Sequence, residues 1–523
     1  MGFRTLTCRA PLPRAAWTAA LGGALVTLLS PAARADEPRK VTEPPVMREP
    51  TEIVQIADAF DDDDIFDLHL SLGYQHTWKN AKIYRETAAA QIATGGFTPS
   101  NMNVAKYEQD TARLNTRADI GLYKDIALVI RMPVILSDDR SLKENGGGLQ
   151  SNTLVGAPGE QLFMMPLKAP TRSGIEYLAF GLDFGLMNQA RNPNKPTWTI
   201  GGEVRVNVSE PMHACNANPQ NLNQTPPKGG SQVKCAYPHD TNRDGQAGQF
   251  STSDTGVPGT SIKFDEGASG ERSPGVSRGT TGLAFHTYLS RRVKYIEPYG
   301  GFDVLFEFPN QSSDYHQTDL RGSLVNHPPL RGTMTMGIAV MPWEIRDAFQ
   351  RLTIDGRFSG TYVSEGRDYS ELFDALGSSD APSLRAPQFS EYTAGPTAAY
   401  PSVVDPNSQK VYFTGLTDVQ QHGEYTFSVS TTYQAGEYVK FNVGGAYTLY
   451  QGHFVTFDQA CNPNFDNDGA QAGPCRTGSA EQGYSPTGIP NPNYRKVIND
   501  PGRRFKVDDS NGLDAWISAT VMF

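Results

Sequence analysis

The chain has 523 residues with 46 Lys and Arg against 56 Asp and Glu, a formal charge of −10 that disfavours nucleic acid as a partner. After the N-terminus, no run of about 18 or more apolar residues supplies a helical membrane span. A chain this long is expected to divide into several domains, yet no low-complexity linker cuts it, and one large β unit with long loops is the better expectation.

At the N-terminus, Arg4, Arg9 and Arg14 precede an apolar run over 15–29, and Ala33-Arg34-Ala35 then precedes Asp36. This pattern predicts a secretory signal peptide over 1–35, cleaved after Ala35. Cys8 lies before the apolar run, where a lipoprotein cysteine would follow it, which argues against a lipid anchor. A segment over 36–65 comes next, Pro-rich at first and ending in the acidic run 61–64. Charge runs usually mean a solvated stretch, so a periplasmic tail is expected; the alternative is a tail folded into the mouth of the unit that follows.

From Phe66 the pattern changes to strict alternation. Twelve segments carry it: 66–74, 112–122, 126–136, 174–186, 197–208, 279–290, 295–308, 331–341, 352–363, 422–434, 438–450 and 511–523. Connections after the even-numbered segments are short: 123–125, 187–196, 291–294, 342–351 and 435–437. Those after the odd-numbered segments are long: 79–111, 137–173, 209–278, 309–330, 364–421 and 451–510. An even strand count with short turns at one end and long loops at the other is the asymmetry of a transmembrane antiparallel up-and-down β-barrel, in which only every second strand residue faces lipid. Aromatic residues gather near the segment ends: Tyr123, Trp198, Tyr295, Trp343, Tyr433 and Tyr438 at the short-turn end, Trp78, Tyr177, Phe308, Tyr362 and Tyr450 at the other. Both sets are expected to form interfacial girdles.

In the last segment, Leu513, Ala515, Ile517, Ala519, Val521 and Phe523 share one face, and Asp514, Trp516, Ser518 and Thr520 the other. An apolar face ending on a C-terminal Phe resembles the terminal strand that Gram-negative outer-membrane β-barrel proteins show to their insertion machinery. The resemblance implies an outer-membrane location, with membrane lipid and the insertion machinery as partners. It covers the class of protein and leaves oligomeric state and surface partners open.

The opposite faces of the strands are polar. Arg117, Asp119, Arg131, Glu203, Arg205, Asp303, Asp355 and Arg357 are expected in the lumen with Asp67, His69, Gln75, Asp183, Glu297, Glu307 and Lys440. One reading is a water-filled path whose field selects small solutes; the other is an Arg and carboxylate network that fills a narrow lumen and shapes the wall. Cys215 with Cys235 and Cys461 with Cys475 form two local pairs in an exported chain and are expected as structural disulfides. Asp240, Asn242 and Asp244, and likewise Asn464, Asp466 and Asp468, place alternate oxygens before a Gly, the first half of a Ca²⁺ loop; plain Asp/Asn/Gly turns share that composition. No Gly-x-Ser-x-Gly elbow or His-Glu-x-x-His motif is present, and a hydrolase is not expected. The expected function is therefore a channel or uptake protein for small solutes. Its alternative is a structural or adhesive surface protein with a blocked lumen and Ca²⁺-stiffened loops.

Overall fold

Period-two alternation puts one side chain in two on each face of a sheet, so twelve such strands with apolar outer faces can satisfy their backbones in lipid only by closing. The computed structural model shows that closure. It describes residues 47, 50–57, 59–60, 66–91, 96–145, 162–163, 165–217, 234–235, 273–310, 313–315, 323–379, 381, 384, 413–464, 475–479, 483–486, 489–491 and 493–523. The barrel strands are β1 (Leu68–Gln91), β2 (Gly96–Tyr123), β3 (Ile126–Glu144), β4 (Leu178–Met187), β5 (Thr197–Val206), β6 (Thr280–Ser290), β7 (Ile296–Pro309), β8 (Arg331–Ile345), β9 (Gln350–Val363), β10 (His422–Ala435), β11 (Val439–Tyr450) and β12 (Phe505–Met522). Each pairs antiparallel with its sequence neighbours, and β1 pairs with β12 to complete the ring. The seam ends on Phe523, whose N–H donates to the Leu68 carbonyl at 3.0 Å while the Leu68 N–H donates to its own.

The outer surface is an apolar belt. Leu513 and Ile517 of β12 and Phe523 just after it are exposed, while on the other face Asp514 accepts from Gln75 and Trp516 donates to Asn442. Tyr123, Trp198, Tyr295, Trp343, Tyr433 and Tyr438 all point outward at the short-turn end, and Trp78, Phe308 and Tyr362 do so at the other. Tyr177 and Tyr450 depart from the expected girdle. Both turn inward, Tyr177 beneath Arg205 and Tyr450 beneath Lys79.

Several inward aromatic rings lie over a glycine of the next strand. A Cβ on Gly337 would meet the Tyr299 hydroxyl at 2.3 Å, and one on Gly444 would meet the Trp516 ring at 2.4 Å. These glycines are cross-strand sockets that pin the register.

Three strands overrun the expected loops 79–111 and 137–173. At about 3.3 Å per residue, the 24 residues of β1 reach roughly 80 Å, against an apolar band of about 25 Å. Past the belt the alternation inverts. Within the belt, exposed Leu70 and Leu72 are apolar and their neighbours polar; above it Ala81 and Ile83 are buried while Lys82 is exposed. Outside the strand is now water, and inside is a second core built by the long loops. That core joins Ile83, Tyr107 and Leu142 of the strand extensions to Leu372, Leu376 and Phe505. A short helix α1 (Phe373–Gly377) links it to a smaller cluster containing Phe373, Met212 and Tyr315. The loop 451–510 is likewise shortened, because β12 begins at Phe505.

Candidate functional site

Strand parity delivers the predicted polar residues to the lumen. Arg117 and Arg131 are direct cross-strand partners, Arg131 pairs in turn with Ala179, and Ala179 with Arg205. The small Ala179 leaves room, and three guanidiniums form a row across β2, β3 and β5. Two carboxylates serve them: Arg117 Nε lies 2.7 Å from Asp119, while Glu203 takes Arg205 at 2.8 Å and Arg131 at 3.3 Å. On β6 to β9, Tyr288 donates to Asp303, Tyr299 donates to Asp355 at 2.6 Å, and Arg357 reaches both Tyr299 and Asp355 at 2.9 Å. His286 lies 3.2 Å from Asp183. Sequence reading placed these charges but missed the tyrosines that bridge them; the only available signal was the cross-strand glycine, visible once register is known.

Of the segment 36–65, the described residues 50–57 lie inside the barrel at its short-turn end, as in the alternative of a tail folded into the mouth. Thr51 N–H donates to both oxygens of Glu297 at 3.3 and 3.2 Å, Thr432 donates to Glu52 at 3.4 Å, and Lys440 donates to Gln55 at 3.1 Å. Glu297 is completely buried and also accepts from Ser290 at 2.7 Å. A buried carboxylate needs donors, and the entering backbone supplies one.

The described residues 364–379 of the long loop 364–421 lie across the other end of the barrel. Glu371 contacts Lys79 of β1 at 2.8 Å, and Asp368 takes Arg278, beside β6, at 2.9 Å. Burial pushes the Glu371 carboxyl up, but the Lys79 charge outweighs it and holds the group down at about 2. Within α1, Asp374 receives Arg172 at 2.6 and 3.3 Å and the Cys215 N–H at 3.0 Å. At the rim, His422 and His453 stack with ring centroids 3.7 Å apart, each with Nδ1 on a backbone carbonyl. Burial and the neighbouring His422 push the His453 imidazole down to about 4.

Both expected disulfides, Cys215–Cys235 and Cys461–Cys475, are formed. Of the six expected calcium ligands, Asp240, Asn242, Asp244, Asp466 and Asp468 lie outside the described residues; Asn464 N–H donates to Asn462 at 3.0 Å. Among the described residues, no group of three or more His, Cys, Asp or Glu side chains is arranged to hold a metal ion. The signal peptide also lies outside the described residues.

A closed antiparallel barrel, apolar and aromatic outside and charged within, defines an outer-membrane β-barrel protein in contact with membrane lipid. No family model and no curated protein matches the chain. Solved structures similar to it include an outer-membrane channel from Pseudomonas putida F1, with 7% identity, TM-score 0.32 and coverage of 94% of this chain and 100% of that one. A FadL homologue from Pseudomonas aeruginosa has 8% identity and TM-score 0.29, with 87% and 90% covered. The outer-membrane protease OmpT from Escherichia coli has 8% identity and TM-score 0.24, with 88% and 96% covered. Likeness this slight carries neither solute nor activity to this chain.

Proposed function

We propose that the protein is an outer-membrane channel that takes up small solutes through its polar lumen, with the short-turn end in the periplasm and the long loops outside. The observation that carries this is the lumen itself: arginines, carboxylates and tyrosines line it from β2 to β9. A wall needing only stability could be filled with apolar side chains, since replacing buried ion pairs by well-packed hydrophobic groups is often neutral or stabilising. Passage is passive and involves no catalysis. The residues 50–57 and 364–379 narrow the two ends, and solute enters when these segments give way. The C-terminal strand ending in Phe523 is the segment that the insertion machinery reads.

A specific observation favours a second reading, a structural surface protein. The long loops share a hydrophobic core of their own and carry both disulfides. Single-channel recording of the refolded full chain separates the two. Open steps are expected, more frequent in Thr51→Pro, which removes the N–H that Glu297 holds. A silent bilayer with both proteins would overturn the channel reading in favour of the structural one.

A further inference from the structure

We infer that the path selects small anions, organic carboxylates in particular, an assignment that rests on the channel reading and adds its sign. Formal charges within the arginine–carboxylate pairs balance, and Asp183 and Asp303 face a histidine and a tyrosine instead, so counting residues alone would favour cations. Depths within the pairs differ. Arg117 keeps 34% of its side chain exposed against 13% for Asp119, Arg131 33% against 5% for Glu203, and Arg357 35% against 16% for Asp355. Arg205 follows the same order over Glu203, as do Arg278 over Glu307 and Arg331 over both Asp368 and Glu424. Each carboxylate lies against the wall, and the guanidinium lies over it toward the lumen. Arginine is also the larger side chain, so an equal fraction would already present more cationic surface.

The geometry of the donors supports this. A carboxylate gripped in this way has its oxygens engaged, as both of Asp119 are by Arg117 and those of Asp355 are by Tyr299 and Arg357. A guanidinium has five N–H donors, and one or two bonds leave the others for a solute. Arg117 and Arg131, directly opposed on adjacent strands, and Arg205 beyond Ala179 repel one another, and an anion passing along the row relieves that repulsion. The planar fork matches a carboxylate through paired bonds, which is why this class of anion is favoured.

The test is ion selectivity of the full chain in a planar bilayer under a salt gradient, with chloride and then acetate against potassium. Anion permeability should exceed that of potassium about fivefold, the Boltzmann factor for a unit charge about 4 Å away in bulk water. The decisive variant is charge-balanced: Arg117→Gln with Asp119→Asn removes one charge of each sign. If the exposed arginine sets the field, the ratio falls toward one; if net charge alone mattered, it would not move. Should that protein fail to insert, Arg357→Gln with Asp355→Asn makes the same comparison on another part of the wall. Flux with potassium preferred, or an unchanged ratio in a folded balanced variant, overturns the anion assignment and leaves the channel standing. Absence of any flux in the native chain and in Thr51→Pro removes the channel reading, and this assignment with it.

Discussion

Removing the Asp374 carboxylate should loosen the loop assembly over the mouth while leaving the barrel intact. Asp374 sits in α1, between the two loop clusters, and takes the two terminal Arg172 nitrogens and the Cys215 N–H. The Arg172 side chain is wholly buried; its other partner is the His213 carbonyl, 3.0 Å from Nη2, while Nε has none among the described residues. Asp374→Ala therefore strands a buried guanidinium, at a cost of about 3–5 kcal/mol. The orphaned Cys215 N–H adds to this, within about 1–3 kcal/mol and not additively. Arg172→Met with Asp374→Leu removes both charges and should recover most of the loss. Amide exchange over 165–175, 213–216 and 372–379 is the measurement, with the heat-modified gel shift of the barrel as control. Single and double variants that exchange alike, at the native rate, would show that this pair does not hold α1 in place.

Parity of β7 gives a second prediction: Val304→Arg, on the lipid side near the middle of the strand, should cost about 2–4 kcal/mol of bilayer folding stability, and Leu305→Arg, facing the lumen, far less. Equal costs in urea titrations of the two proteins would mean that the register is shifted. For His453 the folded pKa of about 4 lies below the ordinary 6.5. The folded state then binds fewer protons between these values, so stability is complete above pH 6.5 and declines as pH falls toward 4, by about 3 kcal/mol at most. Exchange protection at 453–457 should fall over that window and become flatter in His453→Gln; identical profiles would exclude the imidazole as the cause. An epitope tag inserted at Gly395, in the loop 364–421, should label on intact cells; labelling only after permeabilisation would invert the orientation.

The number and order of strands were legible because membrane strands obey one rule along their whole length: lipid outside, polar lumen inside. Period-two alternation follows directly, and so do the outward Leu513, Ile517 and Phe523 and the inward Arg117, Arg131 and Asp303. The cysteine pairings were legible for a different reason, since each pair lies within one loop and an exported chain favours local closure. Where the surroundings of a strand change, that rule ends. Above the belt water lies outside and the loop core inside, so Lys82 points out, Ile83 points in, and a continuing strand reads as a loop.

What only the tertiary structure decided concerns contacts between distant segments. That Thr51 reaches Glu297, or that Asp374 neutralises Arg172, depends on how loops and a terminal segment fold onto a wall that exists only after closure. The sequence places a charge on the inner face, but depth is set by which neighbour lies over it. Arg117 and Asp119 are two residues apart on one strand and share a face, and only their packing leaves the arginine the more exposed of the two.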